Sequence, residues 1–518
     1  MMDAKTITER RNHAKAERQR LEGLYDDALR LTMPARKRFH MLNPIDKAED
    51  IFDETGANAV SEFVSRMQAG LMPPFTEFVK LDASSMIDPR DKKAVDRDLD
   101  EINKFVFEEI WNSNFAQETA ESLHDMAIST GVLLFEEGKG DSAFHHRAIP
   151  ITDVYIERGA DDMIGGVYRC QKVKAQHLPI RYPDMKPEQM MKTYSDITDS
   201  ADKELDIIEY TYRDYNADEE CHYSVVVCEN HSEILQMRKT KGAGSNPFIA
   251  FRWSTAAGET WGRGPLLNAM GAIRTTNLMV EMILENAAMS IVGMYQTDNE
   301  GTVNADNISL LPGTIVTKEI GSRGLEPITG STGNFNMQDV VLGDQRLNIK
   351  RAMYNDMLSD PNKTPATAYE VSERMADLAH RTSAGFARVF YEFIQPYMRR
   401  ALYILEKRGD IQLPVVNGRA IQIRAISPLA QAQHGQDVQK LMQDFQIRAQ
   451  MFGPQAATQM YNLEELHTWM QERMGLETKL YKSAPEIMQS MQAQAEMMQQ
   501  AQMEQAQAAA PQQQGLMQ

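Results

Sequence analysis

Cysteine is scarce in this sequence, since its 518 residues include only three, Cys170, Cys221 and Cys228. None belongs to a Cys-x-x-Cys pair, and none has histidines at the spacing that zinc ligands require. The pattern therefore argues against a zinc site and against a disulfide framework. We expect reduced, structural thiols and no metal or other cofactor.

Long apolar runs are also missing. No stretch approaches the roughly 20 apolar residues that cross a bilayer. The first residues are charged and lack the apolar segment of a secretory signal. We therefore expect no membrane association, and a chain that is made and used in a cytoplasmic setting or in particles assembled there.

Signatures of catalysis are absent as well. The sequence has no Gly-x-x-x-x-Gly-Lys-Ser/Thr, so nothing predicts a nucleotide-binding loop. It has no Gly-x-Ser-x-Gly elbow for a nucleophilic serine. His145 and His146 are adjacent, so on a strand they point to opposite faces, which is poor geometry for a shared metal. We expect no enzymatic activity and no small-molecule substrate.

Positive charge is in short supply. The chain has 55 Lys and Arg against 73 Asp and Glu, a net charge of −18, whereas surfaces that hold DNA tightly are basic. This balance disfavours capture of nucleic acid. It fits two alternatives: a charge that only maintains solubility, or a duct through which a duplex slides with weak, sequence-independent contacts.

What the sequence does contain is the pattern of an α+β protein. Its 42% hydrophobic residues predict a folded chain, and its length predicts about two to four structural modules. Apolar residues at helical spacing predict helices over 6–30, 55–71 and 91–128. From residue 131 to 253 the period changes to that of strands. The predicted strands are 132–135, 154–156, 167–173, 207–212, 223–227 and 248–251.

Two further helices carry more apolar surface than a single contact needs. The first, over 264–290, has a seam with the three-four spacing of packed helices. The second, over about 337–358, has two apolar stripes, which imply two neighbours. In a closed ring each copy contacts the previous and the next copy through different surfaces; burial in a monomeric core is the alternative. The seam is Leu266, Met270, Ile273, Asn277, Val280, Leu284 and Ala287, and the stripes are Val340, Leu347, Tyr354 and Leu358, and Leu342, Ile349 and Met353.

A polar loop followed by a long helix occupies residues 361–409. Thr367 is the predicted N-cap, and Glu370 three residues later completes a capping box. Pro396 interrupts the apolar pattern and predicts a kink, because proline removes a backbone hydrogen bond and clashes with the previous turn. Gly409 provides the C-terminal stop.

This loop and helix, with Thr-Ala-x-Glu-Val-x-x-Arg at 367–374, resemble the portal (head-to-tail connector) proteins of short-tailed, podovirus-type bacteriophages. Other segments follow in the order of that family, and the resemblance covers about residues 20 to 450. These segments are Ile-Phe-Asp-Glu-Thr at 51–55, Leu-Met-Pro-Pro at 71–74, Phe-Val-Lys-Leu at 78–81, Gly-Glu-Thr-Trp-Gly-Arg-Gly-Pro at 258–265, and Ile-Ser-Pro-Leu-Ala at 426–430.

The resemblance implies an α+β portal fold with a mixed α/β wing, a two-helix stem, a small β-containing clip, a long kinked helix and an α-helical crown. On this chain the implied regions are wing 1–262, stem helix 263–290, clip 291–336, second stem helix 337–358, tunnel loop 359–366, long wing helix 367–409, crown 410–482 and a Gln/Met/Ala-rich barrel or disordered tail 483–518.

Local patterns add detail to these regions. Short strand-like pieces at 292–296, 314–318 and 325–328 fall in the implied clip. Asn417-Gly418 predicts a hairpin between 415–416 and 421–423, and helices are predicted over 429–452 and 463–474.

Two sets of contact residues follow from the resemblance. In the clip, the packaging motor and the tail adaptor would contact Lys318, Glu319 and Arg323, although a solvated turn is the alternative. Between the stem helices of neighbouring copies, the predicted contact residues are Ile273, Val280, Leu284, Leu347 and Tyr354.

The tunnel loop supplies a third set. Asn362, Lys363 and Thr364 can reach phosphates without reading bases, as the transit of any DNA sequence requires. One lysine per subunit, repeated around a ring, makes a positive girdle in an acidic bore. An ordinary surface charge is the alternative.

The function that the resemblance implies is geometric. A dodecameric ring at one vertex of the virion capsid would let double-stranded DNA in, hold it and release it. Its implied partners are the terminase, the tail adaptor, the major capsid protein, the scaffold and internal core proteins. The alternatives are an oligomeric adaptor without a DNA channel and, less favoured, a DNA-processing enzyme.

Overall fold

The computed structural model describes residues 2–39, 51–83, 89–140, 142–185, 191–292, 295–296, 326–327, 335–355, 368–413, 421–426, 428–462, 466 and 469–470. The chain folds into two compact units. The first comprises Met1–Ala366 and Arg381–Arg424, and the second comprises Thr367–His380 and Ala425–Gln518.

Helices and strands both contribute, as an α+β fold requires. The helices are α1 Ala4–Thr32, α2 Thr55–Leu71, α3 Pro89–Trp111, α4 Phe115–Ile128, α5 Leu178–Arg181, α6 Met191–Asp199, α7 Pro265–Val292, α8 Phe335–Ala352, α9 Ala368–Val389, α10 Gln395–Arg408, α11 Pro428–Phe452 and α12 Pro454–Gln459. The strands are β1 Val79–Ala83, β2 Thr130–Glu137, β3 Phe144–Ala148, β4 Val154–Arg158, β5 Ile164–Lys174, β6 Glu204–Arg213, β7 Cys221–Cys228, β8 Glu233–Lys241, β9 Phe248–Arg252, β10 Tyr295–Gln296, β11 Glu326–Pro327 and β12 Ile421–Ala425.

Helix α1 is held in the first unit by polar contacts. The Asp3 carboxylate accepts a hydrogen bond from the backbone N–H of Thr6 at 3.1 Å, as an N-cap does. Arg18 is 3% exposed and donates to three carbonyl oxygens of the segment 151–154 at 2.6 to 3.1 Å. Its Nε also donates to the Glu22 carboxylate at 2.9 Å. These bonds satisfy a guanidinium that would be costly to bury alone.

A five-stranded antiparallel sheet in the order β4-β5-β6-β7-β8 forms the largest β element described. Its two faces have separate cores, because side chains alternate along a strand. One face packs Tyr168 and Tyr210, whose rings stack at 3.9 Å, against Ile7 and Ala14 of α1. The opposite face packs Ile207 and other apolar residues against α5 and its flanks.

A three-stranded antiparallel sheet in the order β3-β2-β9 packs against α4 and α10. Its core contains His146, which is 1% exposed and lies against the rings of Phe115, Phe135 and Tyr397. The Tyr397 hydroxyl is 3.1 Å from Nε2 of His146. Burial lowers the pKa of His146 to about 3, with a smaller contribution from His145. His146 is therefore a neutral core residue, and not a metal ligand shared with its neighbour.

The long helix changes its hydrogen bonding where a kink was predicted. Between α9 and α10 the residues Phe390–Ile394 form a π-helical turn, and the N–H of Gln395 bonds to the carbonyl oxygen of Phe390. Pro396 follows at once, so the wider turn accommodates a residue that cannot donate a backbone bond. The C-terminal stop is confirmed, because Gly409 ends α10 with a φ of 83°, a conformation that glycine adopts freely.

The predicted elements agree with the structure in most places. Helix 55–71 is confirmed, and the six predicted strands lie within β2, β4, β5, β6, β7 and β9. The single helix predicted over 91–128 is wrong, because Asn112–Asn114 interrupt it and separate α3 from α4. Strands β3 and β8 were not predicted. The predicted cap Thr367 and the hairpin at Asn417-Gly418 lie outside the described residues.

The second unit contains α11 and α12, which contact each other. Gly453 joins them with a φ of 86°, and the rings of Phe445 and Tyr461 lie 6.1 Å apart. Helix α11 leaves large apolar side chains exposed, namely Met442, Phe445, Ile447, Met451 and Phe452.

A buried ion pair connects the π-helical turn to β9. Oε2 of Glu392 accepts hydrogen bonds from the backbone N–H and from Nε of Arg252, each at 3.0 Å. Oε1 accepts from Nη2 of Arg252 at 2.7 Å and from Nη1 of Arg388 at 3.1 Å. The Arg252 and Glu392 side chains are each 5% exposed. Two desolvated charges therefore fix the turn at one place on the sheet.

We expect Glu392→Ala to lower the free energy of unfolding by about 3–5 kcal/mol, because Arg252 would stay buried without its carboxylate. Arg388→Ala is the control, since that side chain is 35% exposed and its loss should cost less than about 1 kcal/mol. Urea unfolding followed by tryptophan fluorescence measures both. Equal losses in the two variants would contradict the importance of the buried pair.

Candidate functional site

Helices α7 and α8 pair side by side in the first unit. Strand β10 follows α7 and strand β11 precedes α8, and the two pair antiparallel through Tyr295 with Pro327 and Gln296 with Glu326. The helices are therefore joined at one end and run in opposite directions. These are the two helices, predicted over 264–290 and about 337–358, that carry more apolar surface than a contact with one neighbour would bury.

One face of each helix is buried within the unit. On α7, Leu266 and Met270 are 0% and 2% exposed. On α8, Leu342 and Ile349 are 8% and 0% exposed, and Met353 just after the helix is fully buried. The second predicted stripe of α8 thus faces the interior of its own chain.

The other faces leave large apolar side chains in solvent. Leu278 and Met282 are one turn apart on α7, and Val340 and Leu347 are two turns apart on α8, so each pair shares a face of its helix. Monomeric proteins rarely expose such groups of apolar side chains without a partner. We call these residues the outer stripe: Leu278 at 50% exposed, Met282 at 56%, Leu284 at 53%, Val340 at 65%, Val341 at 42% and Leu347 at 37%.

Charged side chains flank the outer stripe on both helices. Glu285 on α7 is exposed, as are Lys350 and Arg351 in the last turn of α8. Each helix also exposes a charge of the opposite sign, Arg274 on α7 and Asp344 on α8.

The segment 52–55 ties the two helices together. Oδ2 of Asp53 accepts hydrogen bonds from Nε and Nη2 of Arg346 on α8 at 3.0 and 2.6 Å. The amide oxygen of Asn277 on α7 accepts from the backbone N–H groups of Phe52 and Asp53 at 2.8 and 3.2 Å. Oδ1 of Asp53 accepts from the N–H of Thr55 at 2.9 Å. We call this set the Asp53 clasp, namely Phe52, Asp53, Thr55, Asn277 and Arg346.

The clasp keeps Asp53 ionised. Burial alone would raise the pKa of this carboxyl, but the hydrogen bonds from Thr55 and Arg346 outweigh burial and hold the pKa below its ordinary value. The Asp53 side chain is 4% exposed and that of Arg346 is 44% exposed, so solvent screens the pair from one side only.

The predicted stem contacts separate into two groups. Leu284 and Leu347 belong to the outer stripe, and Val280 is half-buried. Ile273 is 4% exposed and lies against Gly56 of the same chain, so it has little surface left for another copy. Helix α8 ends at Ala352 rather than at residue 358.

Tyr354, the fifth predicted stem contact, lies beyond the end of α8. Its φ is 58°, and its ring contacts Phe63 at 6.4 Å and Trp253 at 5.7 Å within the same unit. The five predicted stem contacts, Ile273, Val280, Leu284, Leu347 and Tyr354, stay predictions.

Leu278, Met282 and Val341 are exposed but were not among the predicted stem contacts. The signal was present, because residues 278–284 include apolar side chains on all sides of α7, and a helix that is apolar all round is buried on all sides. The clip residues Lys318, Glu319 and Arg323 and the tunnel-loop residues Asn362, Lys363 and Thr364 lie outside the described residues.

Two kinds of site are absent from the described part of the chain. Among the residues in the ranges given above, no group of three His, Cys, Asp or Glu side chains is arranged to hold a metal ion. No helix in those same ranges is both long and apolar enough to cross a membrane.

Comparison with known proteins identifies the class. The chain belongs to the bacteriophage head-to-tail connecting protein family, because the model of that family matches residues 4–481. This confirms the resemblance to portal (head-to-tail connector) proteins, a structural class. No curated protein sequence matches the chain.

Solved structures with detectable similarity to the chain include two from gene transfer agent particles. One is a chain of the virion of a native gene transfer agent particle, with 11% identity, a TM-score of 0.35, and coverage of 79% of this chain and 90% of that chain. The other is from the neck of an empty gene transfer agent particle, with 12% identity, a TM-score of 0.34, and coverage of 77% and 90%.

We expect Asp53→Asn to lower the free energy of unfolding by about 2 kcal/mol at neutral pH, the cost of a lost charge-assisted hydrogen bond. Since folding lowers the pKa of Asp53, the carboxylate stabilises the folded state in full at any pH above its pKa in the unfolded chain. This stabilisation is lost as the pH falls through its lower pKa in the folded chain. Urea unfolding across this pH range should therefore show the two proteins converging in acid.

Asp27→Asn is the matched control, because Asp27 pairs with Arg274 on the same helix α7 but both side chains are exposed, at 40% and 49%. Its effect should stay below about 1 kcal/mol. If Asp53→Asn costs no more than this control at any pH, the clasp does not hold the helix pair.

Proposed function

We propose that this chain is the portal subunit of a phage-like particle, and that identical copies form a closed ring around a channel for double-stranded DNA. The outer stripe of α7 and α8 is the observation that carries the proposal. Family membership supports a connector role, and the stripe supplies a surface through which copies would associate.

The geometry of the stripe favours a ring over a simple pair. Exposed apolar side chains occur on both helices, so one helix can contact the preceding copy while the other contacts the next copy. Such a contact joins two different surfaces of neighbouring copies. Repeated contacts of this kind form a ring when the rotation from one copy to the next brings the last copy back to the first.

The net charge of −18 suits a channel through which DNA slides, because a repulsive wall prevents tight capture. In this proposal Asn362, Lys363 and Thr364 face the DNA and contact its phosphates. Lys318, Glu319 and Arg323 contact the terminase and then the tail adaptor. The ring is dodecameric, lies in the virion at one capsid vertex, and also meets the major capsid, scaffold and core proteins during assembly in the host cytoplasm.

We expect the double substitution Leu278→Glu with Met282→Glu to prevent ring formation, because it places two carboxylates in an apolar contact. Native mass spectrometry and negative-stain imaging measure the outcome: the parent protein should give an annulus with a central hole, and the variant should stay monomeric. Met163→Glu is the matched control, since Met163 is also exposed, at 44%, but lies between β4 and β5.

Two results would contradict this proposal. A ring that forms normally from the double variant would remove the outer stripe from the interface. An oligomer without a central hole would favour the alternative of an adaptor without a DNA channel.

We expect Lys363→Ala to lower the yield of filled heads and the retention of DNA, because each subunit would lose one phosphate contact. Lys139→Ala is a control of equal charge change, since Lys139 precedes β3 in the wing. Particles assembled with each variant can be compared by sedimentation and by DNA content. Filled heads at the parental level for Lys363→Ala would exclude a positive girdle in the channel.

A further inference from the structure

Three arginines share one carboxylate on the face of the five-stranded sheet that packs against α5. Arg169 on β5 and Glu209 on β6 lie opposite each other in the register, and Nη1 of Arg169 donates to Oε2 of Glu209 at 3.1 Å. Nε of Arg181 on α5 lies 3.6 Å from Oε1 of the same carboxylate. Arg147 on β3 is half-buried, and its charge acts on Arg169. We call these four residues the arginine cluster.

The guanidinium of Arg169 is buried without a full set of acceptors. The residue is 9% exposed, yet within the described ranges the bond to Glu209 is the one hydrogen bond that its five N–H groups donate. Arg18, which is buried to a similar degree, donates four. Burying a cation with so few partners is costly, so Nε and Nη2 of Arg169 remain available to a ligand.

The other two arginines are still less satisfied. Arg147 has no hydrogen bond or ion pair with any residue that the structure describes. Arg181 is 29% exposed, and its guanidinium lies 5.9 Å from the centre of the Tyr182 ring. The cluster is therefore a local excess of positive charge in a chain whose net charge is −18.

The one carboxylate of the cluster is already occupied. Oε1 of Glu209 accepts from Nε2 of Gln171 at 2.8 Å and from the Tyr182 hydroxyl. Burial lowers the pKa of Arg169, Glu209 raises it, and the positive charges of Arg181 and Arg147 lower it again. Glu209 thus holds Arg169 in place but does not neutralise its two cationic neighbours.

Space for a small group opens next to the cluster. Val167 on β5 and Thr211 on β6 lie two residues from Arg169 and Glu209, so they share the same face of the sheet. Both line a pocket of about 130 Å³. This volume is well below the roughly 300–1,000 Å³ of pockets that enclose drug-sized ligands, so the space suits a small group rather than a peptide segment.

We propose that the arginine cluster binds a small dianionic oxyanion, of the class of inorganic phosphate and phosphate monoesters. Guanidinium groups bind the oxygens of such anions through paired N–H donors, and Arg147 and Arg169 have donors to offer. The positive charge left over by Glu209 matches the charge of about −2 on a phosphate monoester better than the single charge of a carboxylate. This inference does not depend on ring formation or on a DNA channel.

DNA is a less suitable ligand for this site than a free or terminal phosphate. Each phosphodiester carries a single negative charge, and a long polyanion is repelled by the net charge of −18. A small anion meets the local field of the cluster without bringing further charge near the acidic remainder of the chain.

Isothermal titration of the full-length protein tests the inference, in a chloride buffer at neutral pH and constant ionic strength. The ligands are inorganic phosphate, phenyl phosphate, acetate and a short DNA duplex. Inorganic phosphate should bind saturably with a Kd below about 1 mM, and acetate should bind at least about tenfold more weakly because it carries half the charge. Binding of phenyl phosphate as well would assign the site to phosphate monoesters, and its failure alone would assign the site to free phosphate.

Arg147→Gln separates binding from folding. No described partner is lost in this variant, so it should be at least as resistant to heat as the parent. It should bind phosphate about tenfold more weakly, the effect of one lost charge-assisted hydrogen bond. Arg399→Gln is the matched control, since it removes the same charge from an exposed position on α10 and should leave the affinity unchanged.

The inference is overturned if phosphate does not bind saturably by about 1 mM, or if acetate binds as tightly. Equal phosphate affinity in Arg147→Gln and the parent would also overturn it. Duplex DNA that binds through Arg147 when phosphate does not would replace it with a contact to the DNA backbone. Absence of rings would leave the phosphate result standing, so the two proposals are judged separately.

Discussion

The buried pair of Arg252 and Glu392 is the constraint on which the first unit depends. It fixes the π-helical turn to the end of β9, with both side chains 5% exposed. Because Pro396 cannot continue an α-helical ladder, the long helix needs a wider turn at this place, and the ion pair keeps that turn in register with the sheet. Tyr397, one residue beyond Pro396, then reaches the aromatic core around His146. Helix, turn and sheet are thus positioned by one desolvated contact.

Helices α7 and α8 divide their apolar surface between two tasks. Leu266, Met270, Leu342 and Ile349 stabilise the chain itself, since they are buried within the unit. The outer stripe contributes little to the isolated chain and is available for association. A connector needs both properties, because its subunits must fold before they meet and must then meet in one arrangement.

The sequence predicted the α+β class, most element positions and the family, because these follow from periodicity and from motif order. Helix 55–71 is a clear case, with apolar residues at helical spacing and two prolines, Pro73 and Pro74, just beyond it. The break between α3 and α4 was missed because Asn112–Asn114 do not disturb the apolar period around them. The burial of Ile273 against Gly56 of its own chain could not be predicted, because a seam does not reveal whether its partner is the same chain or another copy. The domain boundaries and the clip and tunnel residues stay predictions.

The Asp53 clasp makes three distant positions depend on one another. Asn277 and Arg346 each lie more than two hundred residues from Asp53 in the sequence. Each of the three residues loses a hydrogen-bond partner when the residue it contacts is replaced. A relative that replaces the aspartate would have to revise both helices together, so these positions should covary and be inherited as a set. Replacement of one of them alone would break hydrogen bonds that hold α7 and α8 to the segment 52–55.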